Sequence, residues 1–299
     1  MVAESRIGLV GAGAVGSLLA ATLAQNGQRF HWAERDKARR RALTSLRCKI
    51  GGADLEFAGD QWELVDDASA FPAELDWAIV AVKAPQVGGV VGALRDRDWQ
   101  VLVVANGLHT CPVHLGLLYG GARIDGAVLR ATATSRLVMG PLGGIRDRAP
   151  ELTGVLTTPW LVAGAKEEIG TRMWHKLALN CVVNPLTALL DCPNGELANA
   201  GESRLIRGLL AEVAGVAAAE LGERWGYTGE HLFRDLVRLI DETAANSSSM
   251  REDLRAGRET EINYLNLAVA ATGGRRGIPC PVNQRIGDMI CLVANKRTL

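Results

Sequence analysis

The chain has 299 residues, 48% of them hydrophobic, with 33 Lys and Arg balanced against 33 Asp and Glu. That length is near the size at which one core divides into two domains, and the zero net charge gives no support for a nucleic-acid or acidic-membrane surface. Six scattered cysteines (Cys48, Cys111, Cys181, Cys192, Cys280 and Cys291) lack metal-ligand spacing and read as reduced core residues of a cytoplasmic protein.

The first predicted element is a short buried strand, Arg6 to Val10, running directly into Gly11-Ala12-Gly13-Ala14-Val15-Gly16. A helical stretch from Ser17 to Gln25 follows, then a second strand from Arg29 to Ala33. Ile7 to Ala24 is apolar enough to be checked as a membrane span, but its glycine loop and its Gln25-Asn26-Gly27 stop fit strand, turn and helix better. In that order the glycines have separate physical tasks. Gly11 permits the tight turn, Gly13 lets a pyrophosphate approach the backbone, and Gly16 lets helix and strand pack closely. The helix N-terminus then offers free N–H groups to phosphate. A dinucleotide-binding first domain is the expectation.

The end of the second strand bears on which dinucleotide binds. Glu34 stands where an acid would hold the ribose hydroxyls of NAD, whereas Arg35 beside it suits the additional phosphate of NADP, and Arg39, Arg40 and Arg41 follow. The two readings oppose each other, and a solvated helix start is a third. Lys83 ends the strand-like run from Trp77 to Val82 and is a second basic candidate for the adenosine end. A strand from Gln100 to Ala105 leads to Asn106-Gly107, where open α/β sheets bind ligands. Asn106 is a candidate for orienting the nicotinamide ribose or a substrate carbonyl, against the plainer reading of a turn-forming Asn-Gly pair. Further strands are expected between Arg123 and Pro141, broken at Gly126 and Gly140, and a last one at Pro159 to Gly164.

From Lys166 the hydrophobic period changes to that of helices, predicted at 167–190, 195–223, 229–256, 258–273 and 282–295. The first is the most informative. Lys176, Asn180 and Asn184 fall a turn apart in a run otherwise dominated by Leu177, Leu179, Cys181, Val182 and Val183. Buried amides and ammonium groups are costly unless partnered, so a polar ligand explains this helix better than solvent does. His175 points roughly 100° away and reads as structural. Asn194-Gly195-Glu196 turns the chain. The run Asn246-Ser247-Ser248-Ser249 has the look of a solvated cap, and composition leaves Glu261 between a functional carboxylate and an ordinary one.

Trp174 to Ala188, Cys192 to Leu197, Asn246 to Met250 with Asp253, and Thr260 to Asn266 together resemble the 2-dehydropantoate 2-reductase (ketopantoate reductase) family. Gly11 to Gly16, Val82 to Gln86 and Asn106-Gly107 add to the resemblance, which spans essentially the whole chain. It implies an α/β N-terminal Rossmann-type dinucleotide-binding domain (1–166) followed by an all-α C-terminal domain (167–299) that binds substrate and carries the catalysis. The implied reaction is NADPH-dependent reduction of 2-dehydropantoate to (R)-pantoate in pantothenate and coenzyme A biosynthesis.

The resemblance makes Lys176 the general acid and Glu261 the carboxylate that sets the active site. Asn106, Asn180, Asn184, Asn194 and Ser249 become substrate-binding residues. Gly11, Ala12, Gly13, Ala14, Val15, Gly16, Arg35, Lys83 and Asn106 become the contacts of NADPH/NADP+, with no metal required. The expected partner is a small 2-oxo acid, with no nucleic acid or membrane; the helical faces leave a homodimer open. Two features depart from the family pattern: Glu34 beside Arg35, and a segment from Ala122 to Arg136 shorter than the usual strand pair with its hydroxyl-rich turn. Two alternatives differ in chemistry. One is a related hydroxyacid dehydrogenase acting on another 2-oxo or β-hydroxy acid, and the other is a non-catalytic NADP(H)-binding regulatory protein.

Overall fold

The computed structural model describes residues 6–132, 134–200 and 203–297. In chain order the first part holds β1 (Ile7–Val10), α1 (Ala14–Gln25), β2 (Phe30–Ala33), α2 (Lys37–Ala42), β3 (Ser45–Ile50), β4 (Ala53–Ala58), β5 (Trp62–Val65) and β6 (Trp77–Val80). It continues with α3 (Ala84–Ala93), β7 (Gln100–Val103), β8 (His114–Tyr119), β9 (Ala122–Asp125), β10 (Val128–Ala131), β11 (Ser135–Pro141), α4 (Pro150–Thr153) and β12 (Leu161–Ala165). Among the described residues six α-helices follow: α5 (Ile169–Leu190), α6 (Arg204–Leu221), α7 (Gly229–Glu242), α8 (Ser249–Arg255), α9 (Asn266–Arg275) and α10 (Pro281–Arg297).

The chain forms two compact units. The first comprises residues up to Ala105 with Thr110–Ile169, and the second Asn106–His109 with Gly170 onward. In the first, eight strands form one sheet in the order β12-β11-β8-β7-β6-β1-β2-β5, parallel except where β8 meets β11. Isoleucine, leucine and valine on both faces of β1 and β6 make these strands continuously buried, as parallel central strands must be.

Of a second sheet, β4-β3-β10-β9, only β9 and β10 fall where strands were expected; β3, β4 and the sheet itself have no counterpart in the predicted elements. Its parallel β3–β10 pair joins residues about eighty positions apart, which local periodicity cannot reveal. This sheet explains α1. Gly16 to Ala24 are all buried because the helix packs against β1 and also against β3, β4, β9 and β10. A helix apolar all round needs cover on both sides.

Ala122 to Asp125 and Val128 to Ala131 pair antiparallel around Gly126, whose φ is +60°, so the predicted break at Gly126 is a turn between two paired strands. Ala133, in the segment expected to be short, lies outside the described residues. Gly140 does not break a strand. It lies within β11, where a side chain would collide with the Lys166 carbonyl.

The helical unit departs from prediction where polar residues compete with the helix for backbone hydrogen bonds. The stretch 229–256 is two helices, not one. Gly195 N–H donates to the Ala244 carbonyl and Asn194 N–H to that of Asn246, both at 3.0 Å, and Ser248 then caps α8 by accepting from Arg251 N–H at 3.2 Å. Short polar side chains at such positions favour caps and turns over helix interior. Likewise 195–223 opens as a 3-10 run, Asn194–Ala200, before α6 begins after its Ser203 cap; residues 201 and 202 lie outside the described set. The helix expected from 258 starts only at Asn266, preceded by a 3-10 turn, Ile262–Tyr264. Among the described residues no helix is long and apolar enough to cross a membrane.

Candidate active site

The glycine loop of the first unit is built by its neighbours. Gly11 has φ +100°, a conformation that L side chains rarely adopt, and its N–H donates to the Ala33 carbonyl at 2.9 Å. The Trp32 indole N–H donates to the Gly11 carbonyl at 3.0 Å, while the indole itself is fully buried. Trp32 escaped the sequence reading because it looks like any strand aromatic. Gly16 presses against the same carbonyl, leaving no room for a Cβ.

Gly13 is different: a Cβ there would meet nothing within 4 Å. As the N-cap of α1 it makes no side-chain cap bond, so no capping side chain occupies the N–H groups of the helix's first turn. This cradle fits a dinucleotide pyrophosphate.

Beside the loop, Glu34 is 8% exposed. Its carboxylate accepts from Ala12 N–H at 3.2 Å and Asp36 N–H at 2.8 Å, and pairs with Arg39 at 3.4 Å. The reading of Glu34 as decoration on a solvated helix start is therefore wrong: it is buried and tied to the phosphate loop. Arg35 is exposed, with its charge near Asp67, and Lys83 stands exposed at the N-cap of α3.

In the second unit the short segment Asn106–His109 docks on the turn around Glu261. Leu108 N–H donates to the Tyr264 carbonyl at 2.9 Å. Gly107, with φ +100°, lies so close to Tyr264 that a Cβ would sit 2.8 Å from its backbone oxygen. His109 Nε2 lies 3.1 Å from the Asn106 carbonyl oxygen. Asn106 is thereby held between two ionisable side chains. Its Oδ1 accepts from Lys176 Nζ at 3.1 Å, and its Nδ2 donates to Glu261 Oε2 at 3.3 Å. Burial pushes the Lys176 ammonium down to about 8 from its ordinary 10.5, against the opposing pull of the Glu261 charge.

The other predicted side chains divide. Asn180 and Asn184 follow Lys176 along α5, Asn180 partly and Asn184 nearly fully buried. Asn194 is buried and donates to Thr243 Oγ1 at 3.0 Å, which fastens the break between α7 and α8. Ser249 is exposed in the first turn of α8, while its neighbour Ser248 is buried and lies 2.6 Å from Thr187 Oγ1. His175 pairs with Asp235 at 2.9 Å and rests against the Tyr227 ring. Among the described residues no group of three His, Cys, Asp or Glu side chains is placed to hold a metal ion.

An open parallel sheet with a glycine cradle at one helix N-terminus, joined to a helical unit with a partly buried lysine and a carboxylate on one asparagine, defines a two-domain nucleotide-dependent oxidoreductase. The family models "Ketopantoate reductase PanE/ApbA" and "Ketopantoate reductase PanE/ApbA C terminal" match residues 7–136 and 168–294. The chain is 31% identical over 304 aligned positions to the 2-dehydropantoate 2-reductase of Salmonella typhi, covering 95% of its own length and 94% of that protein's. It is 27% identical to the enzyme of the same name from Archaeoglobus fulgidus, over 95% and 96% of the two lengths. This chain belongs to the ketopantoate reductase family.

The fold is shared more widely. The ternary structure of D-mandelate dehydrogenase with NADH and anilino(oxo)acetate superposes with a TM-score of 0.86 at 21% identity, over 98% of this chain and 99% of that one. The ketopantoate reductase structure from Ralstonia eutropha JMP134 gives 0.82 at 24% identity, over 98% and 100%. Both are likenesses of fold alone.

Proposed function

We propose that this protein reduces 2-dehydropantoate to (R)-pantoate with NADPH, the step that supplies pantothenate and coenzyme A biosynthesis. The observation that carries the reading is the Lys176–Asn106–Glu261 arrangement, in which one amide holds both an ammonium and a carboxylate. A bound nicotinamide supplies the hydride; the residues of this chain manage the charge that develops on oxygen. Lys176 Nζ stabilises the developing alkoxide and then protonates it. Asn106 Oδ1 fixes where that ammonium points, and the Glu261 charge keeps it protonated. Asn180 and Asn184 offer amide hydrogen bonds along the same helix, and these reject substrates lacking a hydroxyl more strongly than an apolar wall would.

The test follows oxidation of NADPH and NADH by purified protein with 2-dehydropantoate and a panel of other 2-oxo acids. Turnover of 2-dehydropantoate above the rest is expected. No turnover with either cofactor would sink the assignment, and preference for another oxo acid would favour the related hydroxyacid dehydrogenase. Because the acid form of Lys176 is required, kcat/KM should hold below pH 8 and fall as pH rises through about 8. A profile flat from pH 6 to 10 would exclude Lys176 as the titrating acid.

The cofactor has a second reading with its own observation. Arg35 and Lys83 support NADPH, whereas the buried Glu34 carboxylate against Ala12 N–H favours the unphosphorylated ribose of NADH. With NADPH as the cofactor, Arg35→Ala should raise KM for NADPH by roughly tenfold and leave KM for NADH unchanged. An unchanged NADPH KM, with NADH the better cofactor in the unmodified protein, would give the assignment to Glu34. The Staphylococcus aureus ketopantoate reductase of similar fold is described as dimeric; a homodimer of this chain is a further proposal, open to sedimentation velocity.

A further inference from the structure

We propose that Asn266 is a positioning residue for the active-site helix, acting on a backbone carbonyl that Pro185 leaves without its helical donor. The inference deepens the proposed function, since it rests on α5 carrying the proton donor.

Pro185 lies inside α5. In an α-helix each N–H donates to the carbonyl four residues earlier, and proline has no N–H, so the Cys181 carbonyl loses that donor. Cys181 is fully buried, where water cannot stand in. Asn266, the first residue of α9, supplies the replacement: its Nδ2 donates to the Cys181 carbonyl at 2.9 Å. The other hydrogen of the same amide goes to Asn283 Oδ1 at 3.0 Å. Among the described residues nothing donates to the buried Asn266 Oδ1, so the side chain is held for its two donors.

Asn283 is held in turn. Its Nδ2 donates to Glu212 Oε2 at 2.8 Å and to the Leu209 carbonyl at 3.2 Å. The Glu212 carboxylate also accepts Val282 N–H at 2.8 Å and Asn283 N–H at 2.9 Å, which caps the first turn of α10. A continuous chain of hydrogen bonds therefore links α6 through α10 and α9 to the middle of α5, with Asn266 donating in both directions. Asn266 and Asn283 are both fully buried, so neither can exchange its partner for solvent.

The point of attachment matters. Cys181 separates Lys176 and Asn180 on one side from Asn184 on the other. A proline inside a helix is a natural kink site, and a slack carbonyl four residues before it leaves the two halves free to bend. Fixing that carbonyl fixes where Asn184 stands relative to Lys176. Misplacement of an orienting group by about 1 Å can cost up to about a hundredfold in rate.

The test is a cycle between Asn266→Leu and Pro185→Ala, because alanine in place of the proline restores a backbone N–H opposite the Cys181 carbonyl. Each variant is followed by steady-state kinetics with 2-dehydropantoate, by cofactor titration and by thermal unfolding. Asn266→Leu should lower kcat/KM for the oxo acid between about tenfold and a hundredfold with cofactor Kd unchanged. The double variant should regain most of that loss and most of the accompanying drop in Tm. A loss from Asn266→Leu that is the same with and without Pro185→Ala overturns the proposal, and so does a fall in Tm without any change in kcat/KM. If Asn266→Leu alone yields no folded protein, a folded and active double variant supports the coupling, while a double variant equally unfolded refutes it. If the unmodified protein does not turn over 2-dehydropantoate, the functional reading fails, but the Tm cycle still decides whether Asn266 answers Pro185.

Discussion

Replacing Lys176 by alanine should lower kcat by about 10²–10⁴-fold while cofactor affinity stays close to that of the unmodified protein. The reasoning starts from charge. Hydride addition to a ketone leaves an oxyanion, and the carbon skeleton offers nothing to neutralise it. An ammonium at hydrogen-bond distance does this twice, first by electrostatic attraction and then by transferring its proton. Lys176 suits the task because burial has brought its acidity to about 8, so it is mostly protonated at neutral pH yet releases a proton far more readily than a solvated lysine. The glycine cradle belongs to the other compact unit, so the dinucleotide should still bind. Single-turnover kinetics with saturating cofactor would measure the loss directly. A kcat within a few-fold of the unmodified enzyme would remove Lys176 from the role of acid.

Glu261→Gln should produce a second large loss with a different signature. Glutamine keeps the shape and can still face the Asn106 amide, but it removes the negative charge that opposes the burial of Lys176. Without that charge the ammonium loses its proton at lower pH than in the unmodified enzyme. The falling limb of the kcat/KM profile should therefore move to lower pH. The deficit should be about ten- to a hundredfold at pH 8 and smaller at pH 6, where the acid form is restored. A loss that is uniform from pH 6 to pH 9 would mean that Glu261 acts only by contacting substrate. An unmoved profile with full activity would remove it from the mechanism.

The features legible along the chain are those whose physics is local. A strand feeding Gly11, Gly13 and Gly16 into a helix is written within two dozen residues, where the left-handed turn at Gly11 and the press of Gly16 on the Gly11 carbonyl are demands of that short stretch. The polar spacing of Lys176, Asn180 and Asn184 is equally local, being a consequence of helical pitch. Helix boundaries are less legible. The break between α7 and α8 depends on Asn194 and Gly195 reaching across to residues 244–246, and nothing in the run 229–256 itself announces that.

What the amino-acid sequence determined by itself was the α/β-then-helical order, the phosphate-loop chemistry and a lysine in an apolar helix. What only the tertiary structure decided was the company those residues keep. Asn106 leaves the strand-rich unit to bond Lys176, 70 positions away, and Glu261, 155 positions away. Glu34 turns inward to the glycine loop, and Asn266 finds the carbonyl that Pro185 abandoned. The physical reason is one of range. Pitch, turn and capping preferences act over a few residues and can be read along the chain, whereas a buried polar group takes its partner from whatever the packing of distant elements brings within hydrogen-bond reach.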